Sequence, residues 1–220
     1  MSKVSIAFDT VASTYDSWYL QPKGKQVFEA ERDALEAFIP NTGVGIEIGA
    51  GTGIFTLSLS SFHRTIIALD LSGKMLSSAV KRGVPSILGG ASNLPIRSNI
   101  LDFSFMITAM EFIEDPSRAM ADAHRVLKIG GSLVILFINR ESPWGEQYRK
   151  MGENGDPIFS KARLYSVVEM EIFVKASPLK LIEIKGTLTT GPTDPDSGNQ
   201  IVEPSNKAGV ILVKALKTVR

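Results

Sequence analysis

Residues 46–56 read Ile-Glu-Ile-Gly-Ala-Gly-Thr-Gly-Ile-Phe-Thr, with Gly49, Gly51 and Gly53 at alternate positions between a strand-like and a helix-like run. Glycines at such a junction let backbone approach a ligand closely and aim helix N–H groups at it. One acid, Glu47, stands just before them, and a second, Asp70, closes the next apolar run. A dinucleotide fits this poorly. Its G-x-G-x-x-G fingerprint needs a third glycine at position 54, which is Ile54, and Glu47 would repel the pyrophosphate. Glu47 suits a ligand with an ammonium group, and Asp70 can accept both hydroxyls of a ribose. The ribose does not separate the two cofactor classes, so an NAD-dependent oxidoreductase remains the alternative that the loop spacing disfavours. A ligand-free turn is the plain reading of the glycines alone, and the two acids argue against it.

These residues need strands that end side by side. Runs 44–49, 65–70, 84–90, 102–108 and 132–139 read as strands, several of them nearly all apolar, as parallel strands covered on both faces must be. Between them lie helical patterns. Ser72 caps one in which Met75, Leu76, Ala79 and Val80 share a face. Asp115 caps another, with Pro116 in its first turn, an apolar stripe of Ala119, Met120, Ala123, Val126 and Leu127, and Gly130-Gly131 as its stop. Such alternation predicts an α/β fold with a doubly wound, parallel sheet. Residues 1–40 read as helical, with Val27, Phe28, Ala34, Leu35 and Phe38 facing inward. A helix over 166–176 and strands over 179–190 and 208–216 follow. The segment "GPTDPDSGNQIVEPS" between those strands reads as a long turn or mobile loop. With no repeat and no linker, one domain over 1–220 is expected: a helical segment at 1–40, a core at 44–140, and a helix with the last strands at 141–220.

Composition narrows the classes. Lys and Arg number 24 against 23 Asp and Glu, with no basic run or basic–aromatic stripe, so nothing points to nucleic acid. No apolar stretch approaches a membrane span, and the start lacks the apolar core of a secretory signal. There is no cysteine and only two separated histidines, which leaves no metal-ligand set and no thiol nucleophile. A cytoplasmic enzyme or binding domain is the expectation. Nothing in the sequence fixes an oligomeric state.

The stretches "IEIGAGTGIFT", "ALDLSGKMLSSA", "GGASNLPIRSNILDFSFMI" and "EFIEDPSRAMADAHRVLKIGGSLVILFINR" follow one another as in class I S-adenosylmethionine-dependent methyltransferases. The chain resembles that family over about residues 44–140, and the early "FDTVASTYDSWY" looks like the family's helical lid. The resemblance implies a seven-stranded, mostly parallel sheet of order 3-2-1-4-5-7-6 with strand 7 antiparallel. It also implies S-adenosylmethionine as cofactor. Gly49, Gly51 and Gly53 would wrap its methionine part, with Glu47 near the amino-acid end and Asp70 on the ribose. Leu71 would lie beside the adenine, the Thr108 backbone would meet the methionine moiety, and Tyr15 would touch the carboxylate from the lid. The family's usual acid for the adenine amino group is replaced by Gly90, so the Ala91 backbone or the side chains of Ser92 and Asn93 are expected to stand in.

Methyl transfer from such a cofactor needs an aligned acceptor more than a protein nucleophile. A general base is needed only where the acceptor must first lose a proton. Acceptor-side groups should lie at strand carboxyl ends, which nominates Met110, Glu111, Asn139, Arg140 and Trp144, with Glu111 as the candidate base. Trp144 and Tyr19 could face a cationic acceptor, or simply pack. His63 and His124 are read as structural. The balanced charge favours a small-molecule acceptor, and a catalytically silent cofactor-binding module remains the alternative if Gly90 cripples binding.

Overall fold

The computed structural model describes residues 2–196 and 198–219. Its strands are β1 (Gly43–Ile48), β2 (Arg64–Asp70), β3 (Ser86–Leu88), β4 (Leu101–Ile107), β5 (Leu127–Ile138), β6 (Lys180–Thr187) and β7 (Val210–Leu216). They form one seven-stranded sheet in the order β3-β2-β1-β4-β5-β7-β6. β7 runs antiparallel to β5 and β6, and the other neighbours are parallel, which is the topology the family resemblance implies. The helices are α1 (Lys3–Val11), α2 (Pro22–Phe38), α3 (Ile54–Leu59), α4 (Gly73–Lys81), α5 (Pro116–Val126), α6 (Pro143–Glu153) and α7 (Val167–Ala176). None among the described residues is long and apolar enough to cross a membrane.

Strand alternation sorts the core into two layers. Phe103, Phe105, Val134, Leu136 and Leu212 pack with Val27, Ala34 and Leu35 of α2 and with Phe55 of α3. Their sequence neighbours Met106, Leu133, Ile135, Phe137 and Val213 pack with Met120 of α5 and Met170 of α7. At about 1.5–3 kcal/mol per fully buried large side chain, a one-residue slip that turned both sets over would be prohibitive, so the register is fixed.

Three local expectations are corrected. Gly130-Gly131 does not stop a helix: α5 ends at Val126 and the glycines lie within β5. Lys217 flanks them, accepting from the Gly130 amide at 2.8 Å and donating to the Gly131 carbonyl at 2.9 Å, so sheet pairing claims them. Val80 is 61% exposed, because it falls at the rim of the stripe that Met75, Leu76 and Ala79 bury. β3 is shorter than 84–90, since Pro85 has no N–H to give and Gly90, after the Gly89 amide's last bond to the Asp70 carbonyl of β2, bridges to Asn93 instead. The connection after β6 is tied down: Lys23 Nζ donates to the carbonyls of Asp194 and Asp196 at 2.9 and 3.0 Å, and Gln26 Nε2 donates to that of Pro195 at 3.0 Å.

Candidate active site

β1 lies between β2 and β4 at the point where the chain's crossovers diverge, where open α/β sheets leave a crevice at the strand carboxyl ends. Gly49, Gly51, Asp70, Leu71, Ala91 and Thr108 line a chamber of about 100 Å³ there. The glycines divide the work. All three have positive φ, at +79° for Gly49, +55° for Gly51 and +73° for Gly53. A Cβ on Gly49 would come within 2.5 Å of the Ala109 Cβ, and one on Gly53 within 2.8 Å of the Ala79 Cβ. One on Gly51 would meet no protein atom within 4 Å. The first and third glycines permit close packing, and the second borders the open space of the chamber.

Asp70 holds the loop in place. Its Oδ2 accepts the Gly51 amide at 2.8 Å and its Oδ1 that of Ser72 at 2.7 Å. Burial raises its carboxyl above the ordinary range, and those N–H bonds oppose the rise. A carboxylate offers about four lone-pair sites, so these N–H bonds do not exhaust its capacity to accept. Thr108, a non-glycine residue at φ +43°, is fixed by its amide's 2.9 Å bond to the Leu136 carbonyl. Backbone strain of this kind gathers at functional sites.

A lid covers the chamber. Val4, Ser5 and Phe8 of α1 line it together with Tyr15, whose hydroxyl burial pushes up to about 12. Two acids latch the lid. Asp9 accepts from the Ser72 hydroxyl at the head of α4. Asp16 accepts from Thr52 Oγ1 at 2.6 Å and pairs with the Arg82 guanidinium.

A second chamber, of about 260 Å³, adjoins the first and shares Phe8, Tyr15, Thr108 and Phe112 with it. Its walls are aromatic. Trp18 and Tyr19 meet edge to face with centroids 5.0 Å apart, and Tyr148 stacks on Phe159 at 4.2 Å. Trp144 is anchored by its indole N–H, which donates to the Thr190 carbonyl at 2.9 Å. Trp144 and Tyr19 both line this second chamber. Glu31 of α2 also lines this chamber, and the sequence reading missed it. The signal was present: position 31 continues the buried stripe of Val27, Ala30, Ala34 and Leu35, and an acid on an apolar stripe asks for a reason.

Other nominated residues lie outside both walls. Glu47 is buried behind the loop, accepting from the Thr56 hydroxyl, and burial pushes its carboxyl up to about 8. Gly53 opens α3. Ser92 turns its hydroxyl toward the Asp115 carbonyl at 3.4 Å, so at the site of the missing adenine acid only Ala91 and Gly89 face the chamber. Glu111 is 2% exposed; its Oε1 accepts the Ile138 amide at 2.7 Å, and its carboxyl is pushed up to about 7 by burial. It reaches neither chamber. Asn139 donates to the carbonyls of Ser205 and Ala208, Arg140 pairs with Glu169 at 2.8 Å, and Met110 is core. His63 is exposed on the turn before β2, beyond the opposite end of the sheet. No cluster of three His, Cys, Asp or Glu among the described residues could hold a metal ion.

A ligand-spaced glycine loop, a carboxylate at the next strand end and a latched lid define a Rossmann-like enzyme that handles a nucleoside cofactor. A family model described as a methyltransferase domain matches residues 46–135. An uncharacterized protein of Methanocaldococcus jannaschii is 32% identical over 82% of this chain and 84% of its own length. An uncharacterized Mycobacterium tuberculosis protein is 31% identical over 82% of this chain, which spans 62% of that longer protein. A Thermotoga maritima crystal structure, described as an S-adenosylmethionine-dependent methyltransferase and possible histamine N-methyltransferase, superposes with a TM-score of 0.86 at 29% identity, covering 98% of this chain and all of that one. The chain belongs to the class I S-adenosylmethionine-dependent methyltransferases, and S-adenosylmethionine is its cofactor. The nicotinamide alternative is thereby set aside.

Proposed function

We propose that the methyl acceptor is a small molecule bound in the second chamber, while Gly49, Gly51, Asp70, Leu71, Ala91, Thr108 and Tyr15 hold the cofactor in the first. The shared wall of Phe8, Tyr15, Thr108 and Phe112 carries this reading: it sets two cavities side by side at the strand ends. The cofactor brings a methyl group already activated on a sulfonium, so the chain's own task is alignment. In favourable cases alignment is worth effective molarities of about 10⁵–10⁸ M. Gly51 leaves room, Asp70 accepts hydroxyls, Thr108 fixes the boundary between the chambers, and the lid rings exclude water. An aromatic cavity of about 260 Å³ accommodates a compact organic body better than a folded macromolecule. The suggested acceptor of the Thermotoga protein, histamine, supports the same size class.

Calorimetric titration with S-adenosylhomocysteine, and with the Asp70→Ala variant beside it, tests the cofactor half. Binding by the wild type that weakens in the variant is expected, and no binding by the wild type overturns it. Incubation with methyl-labelled cofactor and separate small-molecule, RNA and protein extracts tests the other half. Label confined to RNA or protein overturns the small-molecule reading.

A further inference from the structure

We infer that the acceptor is a small organic cation, held through its ammonium group by the Glu31 carboxylate within the ring of Trp18, Tyr19, Trp144, Tyr148 and Phe159. This rests on the second chamber being the acceptor site. Glu31 is only 4% exposed, lines that chamber, and has no hydrogen bond or ion pair with any described residue. An acid buried without a partner is costly to keep, and a cationic ligand removes the cost.

The chamber's own lining offers no opposite charge to pair with it. Among the described residues, no Lys, Arg or His lines the chamber. Its other charged residue, Asp156, is occupied in accepting the amides of Ile158 and Phe159 at 2.9 and 2.8 Å. Lys23 Nζ sits 5.6 Å from the Trp144 ring centroid, but its hydrogen bonds go to the carbonyls of Asp194 and Asp196. No lining side chain supplies a counter-charge for an anionic acceptor, and a neutral one would not draw the proton from Glu31. Aromatic faces add attraction for a cation and stack against a flat apolar body.

Proton linkage gives an independent signature. Burial, with the nearby Glu111 adding to it, pushes the Glu31 carboxyl up to about 8. The facing hydroxyls of Tyr15, Tyr19 and Tyr148 are likewise raised and stay neutral, and Glu111 itself is raised to about 7. At pH 7 the free protein therefore keeps a proton on Glu31, and an arriving ammonium group favours the charged carboxylate, so complex formation releases a proton.

The test uses the full chain saturated with S-adenosylhomocysteine, titrated calorimetrically with a panel of arylalkyl amines, each beside its alcohol isostere. At least one amine should bind about tenfold or more tighter than its alcohol, the range for hydrogen bonds to a charged group. Titration in two buffers of different ionisation enthalpy should show close to one proton released at pH 7. Glu31→Gln, which removes an unpaired acid while keeping the volume, should abolish both the preference and the proton release and leave S-adenosylhomocysteine affinity unchanged. If amines bind no better than alcohols, or if Glu31→Gln keeps the preference, the inference fails while the small-molecule reading stands. If S-adenosylhomocysteine itself does not bind, the cofactor-site reading fails and takes this inference with it.

Discussion

The cofactor chamber is shaped by backbone, whereas the acceptor chamber is shaped by side chains. In the first, two positive-φ glycines, a strained Thr108 and the amides bonded to Asp70 set the walls, and all of them sit within a few residues of a strand end. In the second, rings arrive from α1, the turn after it, the turn after β4, α6 and the segment beyond α6, far apart in sequence. Backbone walls tolerate little change, because few residues can adopt their angles. Side-chain walls can be re-lined without disturbing the sheet. A fixed site for a common cofactor beside an adjustable site for a particular acceptor follows from that difference.

Gly49→Val should expose it most. The substitution adds left-handed strain of about 1–2 kcal/mol and a clash with Ala109, where overpacking costs about 1–3 kcal/mol. Thermal melts should show a strongly destabilised protein, and titration should show no measurable S-adenosylhomocysteine binding. Gly51→Ala carries similar strain but no clash, so it should stay folded and lose cofactor affinity. Phe159→Ala, in the other chamber, should leave cofactor affinity alone. Wild-type affinity in both glycine variants would break the comparison.

Asp70→Ala comes next. It removes a hydrogen-bonding acid that touches both the loop and the chamber, and should cost about 1.5–3 kcal/mol of cofactor affinity. Equal affinities for variant and wild type, measured calorimetrically, would remove Asp70 from the ribose role.

This asymmetry explains what was legible in the sequence. The sheet could be read because its strands are apolar runs bounded by turn residues, and the cofactor loop because its requirements are local: glycine where φ is positive, acid where a strand ends. Glu31 could not be assigned a role because its meaning depends on Tyr148 and Trp144, more than 100 residues away, and no short pattern joins them. Glu111 misled for the converse reason. It follows β4 as a base should, yet the backbone turn at Met110–Phe112 buries it against the Ile138 amide. Gly130-Gly131 misled because long-range pairing with Lys217 outweighed a local stop signal.

Buried acids should give the ligand-free protein an unusual pH profile. Glu47 is raised to about 8 and Glu111 to about 7, both by burial, so between the ordinary carboxylate range and those values the folded chain binds more protons than the unfolded one. Stability therefore falls as pH rises through that window, by up to about 1.4 kcal/mol per pH unit for each extra proton held. Urea midpoints from pH 5 to 8.5 should decline in the wild type and decline less in Glu47→Gln and in Glu111→Gln. A flat wild-type profile would mean that water or structural relaxation already satisfies these acids.

The smallest effect should belong to the latch, where the two chambers meet the lid. Asp16 joins the turn after α1 to Thr52 in the glycine loop and to Arg82 after α4, and both side chains of the ion pair keep more than a quarter of their surface exposed. A pair of that kind contributes about 1 kcal/mol or less to stability, so Asp16→Ala should barely shift the melting temperature. Its consequence should be local instead. Tyr15 and Phe8 line both chambers, so freeing their segment opens both at once. Amide exchange in residues 8–20 should slow when S-adenosylhomocysteine binds the wild type, because the ligand adds contacts beneath the lid. In Asp16→Ala the ligand-free exchange should be faster and the protection on binding larger, with cofactor affinity reduced only by the cost of ordering the segment. Removing residues 1–20 should then abolish methyl transfer and leave a folded sheet. If exchange over 8–20 is unchanged by ligand in either protein, the segment is fixed packing and not a cover, and Tyr15 loses its place in the cofactor site.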